Sequence, residues 1–229
     1  MVVAQERPWL KVCGLRQPAQ AAAVASLGVD AIGVIAVPGS PRWLAPAERP
    51  ALFAAMRQAS PSCLGVLVVA DPDAPDLDVL GPDGGHQVLQ LHGGESVERC
   101  RELRTALGPT LQLWKALRIR SQADLARAAD YADVVDALLL DAWVPDQLGG
   151  TGHRIPIEWL EGFRPSLPWW LAGGITPERA PAALRGLVAS PPAGLDASSG
   201  VERAPGDKDL ERVAALVAAV AAFRQDRSS

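Results

Sequence analysis

The chain has 229 residues, with 22 Lys and Arg against 26 Asp and Glu, so its formal net charge at pH 7 is −4. Hydrophobic residues make up 48% and charged residues 21%, which is ordinary for a globular protein and argues against a mainly disordered chain. The mild acidity provides no broad basic surface, so we expect no nucleic-acid partner. The sequence also lacks a long apolar segment and a secretory signal pattern, so we expect no membrane association and a cytoplasmic location.

The cysteines argue against a disulfide framework. Cys13, Cys63 and Cys100 are odd in number, widely spaced and without a CxxC pair. The three histidines are scattered as well, so no Cys/His cluster has the spacing of zinc ligands and we expect no metal site.

Eight short apolar runs typical of β-strands recur about 20 to 30 residues apart. They are Trp9–Cys13, Ala31–Val37, Cys63–Val69, Gln87–Leu91, Leu111–Lys115, Asp136–Asp141, Pro168–Ala172 and Gly194–Ala197.

Helical patterning fills most of the segments between these runs. The clearest examples are Pro18–Leu27, Pro46–Gln58, Ser96–Leu107, Gln122–Tyr131, Pro177–Val188 and Lys208–Phe223. Regular alternation predicts an α/β protein with a parallel sheet, and eight units fit a single (β/α)8 TIM barrel spanning residues 1–229, with a polar tail at Arg224–Ser229. An open doubly wound sheet is the alternative, although no GxGxxG follows the first strand.

Glycine-containing loops follow the seventh and eighth predicted strands, LAGGIT at Leu171–Thr176 and DASSGVE at Asp196–Glu202. Glycine lets backbone N–H groups approach an anion, and barrels commonly bind phosphate between these two loops. An isolated Gly-Gly pair is more often only a tight turn, but two such loops in these positions favour a phosphate site. The loop Gly149–Gly152 is expected on the same rim. The predicted phosphate-binding residues are Gly150, Gly173, Gly174, Ser198, Ser199 and Gly200.

Cys13 ends the first predicted strand, at the edge where a barrel carries its catalytic groups. A free thiol is only about 3% thiolate at pH 7, so a base here needs a nearby cation that lowers its pKa. Lys11 lies on the same strand face and could provide that charge. The alternative is an inert buried thiol, which is the interpretation we adopt for Cys63 and Cys100.

Asp141 ends the apolar strand DALLLD on the same face as Leu139. A carboxyl group walled by apolar residues can have a raised pKa and donate a proton near neutral pH. A cap or a loop salt bridge is the structural alternative. Capping explains Asp141 poorly, because a GGTG loop and not a helix follows within about ten residues.

Further candidates lie just after the second, fourth and sixth strands. Arg42 has the planar fork suited to a substrate carboxylate, although a solvated surface charge is the commoner fate of an arginine. His92 is equally suited to donate to a substrate or to sit on the rim. Trp43 and Trp143 are candidates for packing against an aromatic ligand, although tryptophan more often belongs to a core.

Seven segments in chain order resemble the successive motifs of the phosphoribosylanthranilate isomerase family, over about residues 9 to 220. They are KVCGLRQP, DAIGVIAVPGSPRWL, VLQLHGGES, LWKALRI, LLLDAWVPDQLGGTG, LAGGITPE and GLDASSGVERAPGDKD. The pairing of KxCG with LLLDxxxxxxxGGTG is not shared by related phosphate-binding barrels.

The resemblance implies an isomerase of tryptophan biosynthesis, which carries out the Amadori rearrangement of N-(5-phosphoribosyl)anthranilate. It implies that Asp141 is the general acid that opens the sugar ring and Cys13 the general base that removes the C2 proton. Arg42 would pair with the anthranilate carboxylate, while His92 and Asp196 would line the substrate site. It further implies a small-molecule substrate, no metal or organic cofactor, and a monomer or homodimer.

Two other functions stay open from the residues alone. A related sugar-phosphate isomerase of histidine biosynthesis would have an acidic residue at the end of the first strand and half-barrel repetition, whereas this chain has Cys13 and no evident repeat. A non-catalytic barrel that binds a phosphate ligand is the second alternative, and it predicts that replacing Cys13 or Asp141 changes nothing measurable. A binding protein has no need of an acid and a base at opposed strand ends.

Overall fold

The computed structural model describes residues 8–73, 80–142 and 154–226. Eight parallel strands close into a barrel in chain order, and β1 pairs with β8. The strands are β1 Trp9–Cys13, β2 Ala31–Ile35, β3 Leu64–Val69, β4 Val88–Leu91, β5 Gln112–Ile119, β6 Ala137–Ala142, β7 Trp169–Leu171 and β8 Gly194–Ala197. The predicted (β/α)8 barrel is confirmed, and the open doubly wound sheet is excluded.

Among the described residues, five α-helices and several 3₁₀ helices connect the strands. The α-helices are α1 Pro18–Ser26, α2 Arg49–Ala59, α3 Val97–Leu107, α4 Ala180–Gly186 and α5 Leu210–Asp226. The 3₁₀ helices are Pro46–Glu48, Pro82–Gly84, Gln122–Tyr131, Ile157–Leu160 and Ser199–Val201. Proline at the first turn favours the starts of α1, α2 and α4. Within the described ranges, no helix has the length and apolar character to cross a membrane.

Two strand ends differ from the sequence prediction by more than one residue. Strand β2 ends at Ile35 rather than Val37, because the chain turns there and the Ser40 N–H donates to the Val37 carbonyl at 3.2 Å. Strand β5 continues past Lys115 to Ile119, since its second half pairs with β6 as far as Ala142. The longer β5 extends the wall of the barrel on that side.

The end of the chain also differs from the prediction. Lys208 does not begin the last helix but belongs to a two-stranded hairpin, β9 Glu202–Ala204 and β10 Asp207–Lys208, that follows β8. The last helix starts at Leu210 and continues to Asp226, so part of the predicted polar tail is helical. The hairpin places two charged side chains beside the carboxyl end of β1.

Tryptophans close the amino-terminal half of the barrel interior. The rings of Trp114 and Trp170 lie 4.7 Å apart between centroids, and Trp9 meets Trp170 edge-on at 6.2 Å. Gly194 on β8 makes room for this stack, since a β carbon there would lie 2.4 Å from the Trp170 ring. With this half filled, space for a ligand is found at the carboxyl-terminal end.

We expect Gly194→Ala to destabilise the barrel by about 1–3 kcal/mol, because the added methyl group overpacks against the Trp170 ring. Urea unfolding measures this loss. Gly94→Ala is the control, since its β carbon would make only ordinary contact, 3.7 Å from Asp71. Equal losses in the two variants would contradict the role given to Gly194.

Candidate active site

An open cavity lies at the carboxyl-terminal end of the barrel strands. Most of the side chains and loops singled out from the sequence meet there. The lining includes Cys13, Arg42, His92, Asp141, Gly173, Gly174, Asp196, Ser198, Ser199 and Gly200. Gly150 and Trp143 lie outside the described residues. Trp43 is described but is not part of this lining, and 39% of its surface is exposed.

A buried ion pair lies beneath Cys13. The Lys11 ammonium is fully buried inside the barrel and donates to Asp196 Oδ2 at 3.0 Å. Burial lowers the pKa of Lys11, but the charge of Asp196 and the neighbouring Cys13 together outweigh burial and raise it. The raised pKa favours the charged form of Lys11, which is hydrogen-bonded to Asp196 and lies beside Cys13.

The effect on the Cys13 thiol differs from the sequence prediction. Burial raises the pKa of Cys13 above its ordinary value, and Asp196 adds to that rise. Lys11 and Lys208 act in the opposite direction but do not reverse it. The cation predicted from strand alternation is therefore present, while the expected net lowering of the thiol pKa is wrong.

Asp141 lies at the end of β6, next to two polar side chains of β4 and just beyond it. His92 Nε2 is 3.3 Å from Asp141 Oδ2, and Gln90 Nε2 is 2.9 Å from His92 Nδ1. With the Gln90 amide nitrogen assigned as the donor, Nδ1 accepts and the ring proton lies on Nε2, facing Asp141. Gln90 therefore orients His92 toward the carboxyl group, a role that the sequence did not reveal.

The two glycine loops after β7 and β8 touch one another. Gly173 and Gly174 adopt left-handed φ angles of +87° and +66°, which disfavour residues with a β carbon. A β carbon on Gly200 would lie 2.0 Å from the carbonyl oxygen of Ile175. Glycine is thus required for the close approach of the two loops, and their backbones form one rim of the cavity.

Three buried polar side-chain atoms that border the cavity have no hydrogen-bond partner in the described part of the chain. They are Gln90 Oε1, Asp196 Oδ1 and Ser198 Oγ. Buried polar atoms are nearly always paired in native proteins. Their convergence on one cavity indicates a site for a polar ligand.

Arg42 is held by a residue that sequence reasoning missed. Its Nε and Nη2 atoms donate to the Glu202 carboxylate, the shortest contact being 2.7 Å. Gly14, with φ of +90°, leaves room for this side chain, because a β carbon there would lie 2.6 Å from Arg42 Cδ. Glu202 is the last residue of the segment DASSGVE, but the sequence gives no sign that it pairs with Arg42, and that contact is what makes it functional.

The remaining cysteines have packing roles, as predicted. Cys63 and Cys100 are buried in the core between the sheet and the helices. Burial raises their pKa values to about 12 and about 11, so both are neutral thiols at physiological pH. Among the described residues, no group of three or more His, Cys, Asp or Glu side chains has a geometry that could hold a metal ion.

The family model for N-(5′-phosphoribosyl)anthranilate (PRA) isomerase matches residues 10–219. The N-(5′-phosphoribosyl)anthranilate isomerase of Synechococcus elongatus is 50% identical over 93% of this chain and 95% of its own length. That of Thermosynechococcus vestitus is 48% identical over 91% of this chain and 87% of its own.

Solved structures show the same relationship. The phosphoribosyl anthranilate isomerase of Thermus thermophilus is 32% identical, covers 94% of this chain and 99% of its own, and has a TM-score of 0.76. The enzyme from Thermotoga maritima is 25% identical over the same shares, with a TM-score of 0.81. The chain described here belongs to the N-(5′-phosphoribosyl)anthranilate isomerase family.

Proposed function

We propose that this chain converts N-(5′-phosphoribosyl)anthranilate into 1-(2-carboxyphenylamino)-1-deoxyribulose 5-phosphate, with Asp141 as general acid and Cys13 as general base. The observation that carries this proposal is one cavity lined by both groups together with the two glycine loops. A phosphate-binding barrel without catalysis gives no reason for a carboxyl group and a thiol facing the same ligand space.

The substrate has two anionic ends, and the cavity offers a place for each. The phosphate fits the backbone of the Gly173–Gly174 loop and the loop Ser198–Gly200, with Ser198 Oγ as an available hydroxyl. The anthranilate carboxylate fits the guanidinium of Arg42, which follows β2 and is held by Glu202 from the segment after β8. With both ends held, the reacting sugar carbons lie over Cys13 and Asp141.

Ring opening is the first chemical step. Asp141 gives its proton to the furanose ring oxygen as the bond from C1 to that oxygen breaks, and the anthranilate nitrogen lone pair forms the C1–N double bond. The product is an open-chain, cationic Schiff base with a hydroxyl at the former ring oxygen. His92, oriented by Gln90, donates toward the carboxylate that remains on Asp141.

Proton removal from C2 is the second step. Cys13, as thiolate, takes this proton, and the electron pair of the C–H bond moves to form the C1–C2 double bond of an enolamine. Proton loss from the C2 hydroxyl and proton gain at C1 then give the ketone, so the reaction consumes no cofactor. Acid and base catalysis of this kind each contribute about 10²- to 10⁴-fold to the rate.

The raised pKa of Cys13 constrains how the thiolate arises. The Lys11 ammonium favours the thiolate, but burial and Asp196 outweigh it. The cationic Schiff base adds a second positive charge near the thiol once the ring has opened. The thiolate is therefore favoured at the step that needs it.

Turnover tests the function directly. Purified protein should consume N-(5′-phosphoribosyl)anthranilate, made in situ from anthranilate and phosphoribosyl pyrophosphate, with loss of anthranilate-type fluorescence. The gene should also restore growth of a tryptophan auxotroph that lacks only this step. Binding of the product without turnover, and failure to complement, would overturn the proposal in favour of a binding protein.

We expect Asp141→Asn to reduce kcat by at least about 10²-fold, because the amide has no acidic proton for the ring oxygen. The reduced product analogue is the product with its ketone reduced to an alcohol. Its binding should change little in this variant, and calorimetry measures its Kd. Asp30→Asn is a matched control, since the Asp30 carboxylate accepts from the Leu10 N–H near the start of β1, away from the cavity. Near wild-type kcat in Asp141→Asn would refute the acid assignment.

The pH profile tests Cys13 and Lys11 together. The thiolate is the active form, and the pKa of the Cys13 thiol is raised. The rising limb of the plot of kcat/KM against pH should therefore have its midpoint above the pKa of an ordinary thiol. Lys11→Met removes the charge that lowers this pKa, so the limb should move to higher pH and activity at pH 7 should fall.

Two further variants test whether the limb reports the Cys13 thiol and its interaction with Lys11. Cys13→Ser should lose the limb and most activity, since a hydroxyl is not ionised in this range. The double variant Lys11→Met with Asp196→Asn removes both members of the buried ion pair, and therefore leaves no unpaired buried charge. In the double variant the loss of Asp196 lowers the thiol pKa again, so its limb should lie below that of Lys11→Met. A limb at the same pH in wild type and Lys11→Met would contradict the role of Lys11.

A further inference from the structure

The guanidinium of Arg42 is already engaged on one side. Arg42 Nε lies 3.0 and 3.1 Å from the two Glu202 oxygens, and Nη2 lies 2.7 Å from Oε2. The described contacts of Arg42 leave Nη1 without a protein acceptor. Arg42 therefore presents one defined edge to the cavity rather than a freely rotating charge.

Glu202 is in turn held by the hairpin. Lys208 Nζ donates to Glu202 Oε1 at 2.6 Å, and the Gly206 N–H donates to the same oxygen at 3.1 Å. Burial alone would raise the pKa of Glu202, but the hydrogen bond from Arg42 and the charge of Lys208 outweigh it and lower that pKa. Glu202 is thus a buried carboxylate.

Lys208 connects this carboxylate to the rest of the site. Besides Glu202, its Nζ contacts the carbonyl oxygens of Cys13 at 2.5 Å and Ser198 at 3.4 Å. Burial lowers the pKa of Lys208 from its ordinary value, while the charge of Glu202 opposes this change. The three acceptors match the three N–H hydrogens of the ammonium form. One lysine therefore joins the strand end that carries the base to the loop after β8.

The charges of this buried group do not balance. Arg42 and Lys208 contribute two positive charges and Glu202 one negative charge, so the trio carries a net charge of +1. Buried charges are tolerated when each has a partner. An anion beside the edge of Arg42 that faces the cavity would balance this charge.

We propose that Glu202 is a positioning residue that makes Arg42 selective for the ring carboxylate of the substrate. This inference rests on the proposed function. Glu202 fixes the guanidinium plane and offsets one positive charge, so that Arg42 binds one anion at one angle. Without Glu202, Arg42 is free to turn toward other anions of the site, including Asp196 and the substrate phosphate.

The test compares two ligands, the reduced product analogue and the same compound without the ring carboxylate. Calorimetry gives their Kd ratio, which is the preference for the carboxylate. Glu202→Gln should reduce that preference by about tenfold or more, while binding of the ligand without the carboxylate changes little. KM for the substrate should rise more than kcat falls, because the carboxylate is bound equally before and during the reaction.

Arg42→Ala should abolish the preference, and adding Glu202→Gln to it should produce no further loss. Glu95→Gln is the matched control, because Glu95 also forms a buried ion pair with a lysine, Lys115, but does not contact Arg42. It should lower stability and keep the preference. Glu202→Asp keeps the charge on a shorter side chain and should retain an intermediate preference for the carboxylate. It replaces Glu202→Gln in the test if that variant does not fold.

An unchanged preference in Glu202→Gln, or equal weakening of both ligands, would overturn the inference. Failure of the proposed function gives a different result from failure of this inference. If wild-type protein neither prefers the carboxylate nor turns over the substrate, the proposed function fails. If wild-type protein does both and the Glu202 variants keep the preference, only the inference fails.

Discussion

The barrel closes where β1 meets β8, and at that seam Lys11 is the direct partner of Asp196. The two side chains form an ion pair at 3.0 Å with no exposed surface on Lys11. Loss of either partner would leave a buried charge alone, at a cost of about 3–5 kcal/mol. Because side chains alternate along a strand, the next inward position after Lys11 is Cys13. Closure of the barrel and placement of the base therefore depend on the same pair.

The rest of the interior is arranged in layers above and below this pair. Tryptophans fill the amino-terminal half, so that the polar groups lie only toward the carboxyl-terminal end. There, two separate polar groups face one cavity: Asp141 with His92 and Gln90 on one side, and Arg42 with Glu202 on the other. Each of these side chains is oriented by a neighbour whose side chain is buried.

Much of this arrangement follows from the sequence, because barrel strands end at one rim and the residues at those ends are readable in order. Cys13, Asp141 and the glycine loops were found in that way. The partners of these residues could not be found, because they depend on contacts between distant segments. Glu202 meets Arg42 across 160 positions, and Lys208 reaches the carbonyl of Cys13 across 195. The thiol pKa was mispredicted for the same reason, since burial is a property of the folded barrel.

The central claim is that Cys13 and Asp141 act on the two reacting parts of one bound sugar. The most direct measurement is a crystal structure with the reduced product analogue. We predict C2 beside Cys13 Sγ, and the hydroxyl derived from the ring oxygen within about 2.6–3.2 Å of an Asp141 oxygen. The phosphate should lie on the loops Gly173–Gly174 and Ser198–Gly200. A ligand bound with its phosphate elsewhere, or with these two atoms on the side of the cavity away from Cys13 and Asp141, would contradict the account.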